Sequence, residues 1–65
     1  MPVSRQAFSQ AKGKAGVSIR FKDGFKLTGE IVEVREGEFV FKTDTKISTI
    51  DMAEINAIVE PNGGQ

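Results

Sequence analysis

Residues 17–31 read VSIRFKDGFKLTGEI, two alternating apolar and polar runs joined by Asp23-Gly24. Alternation with period two marks a strand with one buried face. Asp-Gly between two such runs is a strong hairpin signal, because glycine takes a positive φ without steric cost. The pattern predicts Val17, Ile19, Phe21, Phe25 and Leu27 on one core face, with Arg20, Lys22 and Lys26 outward. Gly29 interrupts the second run before Ile31. A glycine inside a strand marks a bend or the close approach of another backbone, which a small curved barrel requires.

Upstream, Ser4 is a suitable N-cap, and Val3 and Phe8 are spaced for a hydrophobic staple. Ala7, Phe8 and Ala11 share a helical face, and Gly13 is a natural left-handed stop, so a helix is expected over residues 5–12. So short a helix is not stable alone and must dock through Phe8. Downstream, EFVFKT at 38–43 is rich in strand formers, and Ile47 and Ile50 mark a strand at 46–50. Asp51-Met52-Ala53 suits one 3₁₀ turn. INAIVE at 55–60 is the last strand, Pro61 ends it, and 62–65 is expected to fray.

With strands also at 16–22 and 25–35, the whole chain reads as a single domain at 1–65. It is mostly β, a strongly bent five-stranded antiparallel sheet of SH3-like type with one short N-terminal helix. A domain of 65 residues buries only roughly 60% of its unfolded surface, so its stability is marginal alone. It has no cysteine and hence no disulfide or thiolate metal site to add to it. Self-association is the remaining common remedy. The strands at 46–50 and 55–60 carry little edge protection, and pairing them between copies head to tail would close a ring.

Nine basic and nine acidic residues balance overall but not along the chain. Residues 1–22 hold Arg5, Lys12, Lys14, Arg20 and Lys22 and no acid, while all nine acids lie beyond them. That asymmetry predicts one basic surface and one acidic surface. No apolar run approaches the roughly 20 residues of a membrane span, so a cytoplasmic protein is expected. Catalysis is not expected: the chain has no His or Cys, and no Gly-rich phosphate loop or nucleophile elbow. No cofactor or metal is called for, and Glu30, Glu33, Glu36 and Glu38 read as solvated carboxylates.

The helix, the hairpin with Gly24, Lys26-Leu27, Gly29 and Ile31 at their spacing, and the ending INAIVEP together resemble the Sm-like (LSm) family, closest to the bacterial Hfq RNA chaperones. The resemblance spans about residues 4–61 and implies a closed homo-oligomeric ring of about five to seven subunits that binds single-stranded RNA. It places Arg20, Gly24, Phe25, Lys26, Leu27 and Thr28 on the RNA-binding face opposite the helix, and Lys12, Lys14 and Lys42 on a basic rim. By the same resemblance Ile47, Ile50, Ile55 and Ile58 serve the subunit interface. Arg35-Glu36-Gly37 and Met52-Ala53 stand where the family keeps its uridine pocket, so that pocket is not carried over. Phe25 reads as core by alternation and as a base-stacking surface by resemblance. Two other functions remain open: a ring that scaffolds protein assembly without RNA, and a monomeric SH3-like adaptor.

Overall fold

Gly29 divides the longest strand into halves that serve different neighbours. The computed structural model describes residues 3–61 and contains α1 (Arg5–Ala11), β1 (Val17–Phe21), β2 (Lys26–Val34), β3 (Glu38–Lys42), β4 (Ile47–Asp51), a 3₁₀ turn (Met52–Glu54) and β5 (Ile55–Val59). The strands form one antiparallel sheet in the order β4-β3-β2-β1-β5. Residues 26–29 of β2 pair with β1, and 30–34 pair with β3. At the switch, a Cβ on Gly29 would overlap the Lys42 carbonyl and crowd the Phe41 ring at 3.1 Å. The bend therefore depends on a missing side chain rather than on an unusual φ. A register shift between Ile31 and Glu33 adds further curvature and leaves Val32 exposed at the bulge.

The concave side is filled by Phe8, Ala11, Val17, Ile19, Ile31, Phe39, Phe41 and Ile55. Full burial of each large side chain is worth about 1.5–3 kcal/mol relative to exposure. The Phe8 ring packs on Phe39 with centroids 4.7 Å apart, so α1 closes the core rather than standing beside it. The Ser4 hydroxyl accepts from the Ala7 amide, and Val3 joins the core margin. The helix stops at Ala11, one residue short of the expected end, with Lys12 as its cap and Gly13 at φ +84°. The Gly13 amide then donates to the Ile31 carbonyl (2.9 Å), tying the end of α1 to β2.

Phe25 is the clearest departure from the expected core. The Gly24 amide donates to the Phe21 carbonyl (2.9 Å), and the Phe21 amide donates to the Phe25 carbonyl (2.7 Å). The loop is thus Lys22-Asp23-Gly24, three residues instead of two, with Gly24 at φ +95° as the bulge. Phe25 stays in phase with Leu27 but falls beyond the margin of the core and is 59% exposed. Lys22 lies in the loop, not on the strand. The expected lead before Val3 and the expected tail at 62–65 lie outside the described residues. Among the described residues, no helix is long and apolar enough to cross a membrane.

Candidate nucleic-acid interface

The hairpin register decides which of the predicted RNA-facing residues share a surface. Arg20 pairs with Lys26 and Ser18 with Thr28, so these four side chains project from the convex side of β1 and β2. On the other flank of β1, Ala57 stands beside Arg20 and Val59 beside Ser18. The Ser18 and Thr28 hydroxyls lie 2.9 Å apart and bond to each other. Arg20 and Lys26 are both exposed, and no acidic side chain pairs with either among the described residues.

Phe25 and Leu27 point to the opposite side of the same hairpin. Leu27 packs half-buried against the core. The Phe25 ring leans on Phe21 at 5.8 Å with its planes 52° apart, leaving much of it to solvent. The Asp23 carboxylate accepts from the Phe25 amide (2.9 Å) and braces the turn that presents it. A shallow hollow of about 230 Å³, lined by Phe21, Lys22, Asp23, Ala53 and Glu54, adjoins this tip. The six residues of the predicted face therefore form two surfaces that meet at Gly24: a cationic one of Arg20, Lys26 and Thr28, and an aromatic one of Phe25 with Leu27 beneath it. An extended chain wrapping the tip would meet both, with bases able to stack on the ring and phosphates on the cations.

The three predicted rim lysines differ. Lys12 is exposed and unpaired among the described residues, whereas Lys14 is held by Glu60 at 2.8 Å. Lys42 stands opposite Glu30 and lines a groove of about 180 Å³ with Gly16, Gly29, Thr43 and Asp44. The groove is of mixed charge, which weakens the hold of Lys42 on an anion.

β4 and β5 are the two outer strands of the sheet. Of the four isoleucines expected at a subunit contact, Ile47 is 65% exposed on β4. Ile50 and Ile58 pack half-buried on the core, and Ile55 is wholly buried inside it. Ile55 therefore stabilises its own subunit, and pairing along β5 would rest on backbone groups and on Val59, which is 53% exposed. Sequence reasoning passed over Val59. A register shift explains why: Arg20 pairs with Ala57 but Phe21 with Ile55, so Asn56 is the extra residue. That bulge turns both Ile55 and Ile58 inward and sends Val59 out.

At the far end of β2 the charge is acidic. Glu38 stands opposite Asp51 across β3 and β4, and Arg35 bridges Glu33 (3.0 Å) and Glu38 (3.2 Å). Hydrogen bonds from Arg35 hold the Glu33 carboxyl below its ordinary value, and those same bonds with Glu33 and Glu38 raise the guanidinium. Glu33, Glu38 and Asp51 thus outnumber Arg35 at this end of the sheet. The chain matches no protein-family model, no curated protein and no solved structure.

Proposed function

We propose that this chain is an Sm-like, Hfq-like RNA-binding protein that works as a closed homo-oligomeric ring of about five to seven subunits. Its task on this reading is to bind single-stranded RNA in the cytoplasm as a chaperone or regulator, without catalysis of its own. The observation that carries it is the Arg20–Lys26 pair, two exposed cations placed side by side with no acidic partner among the described residues. The exposed Phe25 ring, on the other side of the same hairpin tip, supports base stacking. Ring closure is supported by the two outer strands, each with an exposed aliphatic side chain, Ile47 on β4 and Val59 on β5. Repetition around a ring lets weak contacts from each subunit add through effective concentration.

The test is fluorescence anisotropy with labelled oligo-A and oligo-U at two salt concentrations, on protein whose assembly mass is known from light scattering. Adenine-favouring, salt-sensitive binding to an assembled ring is expected. The net charge of zero and the acidic β2–β3 turn favour a second reading, a ring that scaffolds protein assembly. An intact ring with no affinity for either RNA at low salt would decide for it.

A further inference from the structure

The sheet contains two directly opposed like-charge pairs, and they are treated differently. Glu38 faces Asp51, and Arg35 reaches over Glu38 to compensate. Arg20 faces Lys26, and no carboxylate compensates either side chain among the described residues. Like charges directly opposite across a strand pair are destabilising. The fold therefore keeps an uncompensated repulsion in its principal hairpin.

What surrounds the pair fits an oxyanion. Ala57, the neighbour of Arg20 on β5, is small and leaves the guanidinium uncovered. One row along the strands, the Ser18–Thr28 hydroxyl bond uses one of two protons. Whichever hydroxyl accepts keeps its own O–H free to donate outward. Arg offers a planar fork that matches two phosphate oxygens, and Lys adds a point charge. We infer that Arg20, Lys26 and the Ser18–Thr28 hydroxyl pair form a phosphate seat whose occupancy relieves the Arg20–Lys26 repulsion, so that phosphate binding and fold stability are coupled. The inference rests on the RNA-binding reading only in assigning the seat to phosphodiester groups of an RNA backbone.

The coupling is measured by thermal unfolding of the full chain in sodium tripolyphosphate and in sodium chloride of equal ionic strength. Tripolyphosphate is expected to raise Tm by about 2–4 °C beyond chloride, the response of a small domain to a ligand that binds only the folded state. Lys26→Gln is expected to melt above wild type in low salt by a similar margin, about 2–4 °C, because the repulsion is gone. It also loses the tripolyphosphate increment, while Lys22→Gln in the adjoining loop retains it. Equal shifts in the two salts, or a Lys26→Gln protein that responds like wild type, would overturn the seat. Saturating oligo-A is expected to abolish the increment, and an increment that persists would overturn its assignment to RNA. The melts without oligo-A contain no nucleic acid, so a protein that fails to bind RNA can still pass them, and one that binds RNA can still fail them.

Discussion

Gly29 and the carbonyl of Lys42 approach so closely that no Cβ fits between them. This contact sits where β2 leaves β1 for β3, and it fixes how sharply the sheet curls. The obstacle is backbone, which cannot swing aside as a side chain would. Gly29→Ala is therefore expected to destabilise the domain by about 3 kcal/mol, at the upper end of overpacking effects. Gly24→Ala meets no neighbour but must hold φ +95°, and costs about 1 kcal/mol. Urea midpoints of the two variants rank them, and a Gly29→Ala protein as stable as wild type would show that the bend does not need the close approach.

Much of this fold is legible in the order of residues. The Ser4 cap, the Phe8 anchor and the bend at Gly29 are each local signals with a mechanism and an expected counterpart in the structure, and the Asp23-Gly24 signal marks the hairpin but not its three-residue loop. What alternation alone misplaces are residues past the edge of the core or beside register shifts. Phe25 keeps its phase with Leu27 but lies at the hairpin tip, past the edge of the core, and Ile55 and Ile58 both turn inward because Asn56 is skipped. Bulges are set by which strands meet, a tertiary fact that period-two counting does not contain. The candidate site shows the same limit. Its cations and its aromatic ring are legible in the sequence, but their separation onto two sides of one hairpin follows from the pairing of Arg20 with Lys26.

The Glu33–Arg35 contact predicts a pH effect of definite sign. The folded carboxyl titrates below its ordinary value of 4.5, so its contribution is present above that value and is lost as pH falls through the lowered folded value. Both side chains keep about half of their surface in solvent, so the effect on stability is small and fades with salt. Carboxyl NMR titration is expected to place Glu33 below 4.5 in wild type and to return it toward 4.5 in Arg35→Gln. A titration unmoved by that substitution would remove Arg35 as the cause.

Ile47 is mostly in solvent on an outer strand, so a charge there should not disturb the core. If β4 pairs with β5 of another copy, Ile47→Lys places an ammonium in that contact and is expected to lower the assembly mass while leaving the circular dichroism spectrum unchanged. Light scattering reads the outcome directly. A variant that keeps the wild-type mass would move the contact elsewhere, and a wild type that is already monomeric would remove the ring.

The most direct measurement is the salt dependence of oligo-A binding by wild type and by the double variant Arg20→Gln/Lys26→Gln. Each cation that contacts a phosphate of single-stranded RNA contributes about −0.7 to the slope of log K against log salt. The double variant is expected to bind more weakly at low salt, with a slope less negative by about 1.4 for each subunit engaged and an assembly mass equal to that of wild type. Equal slopes and equal affinities for the two proteins would contradict the central claim that this hairpin is where RNA is held.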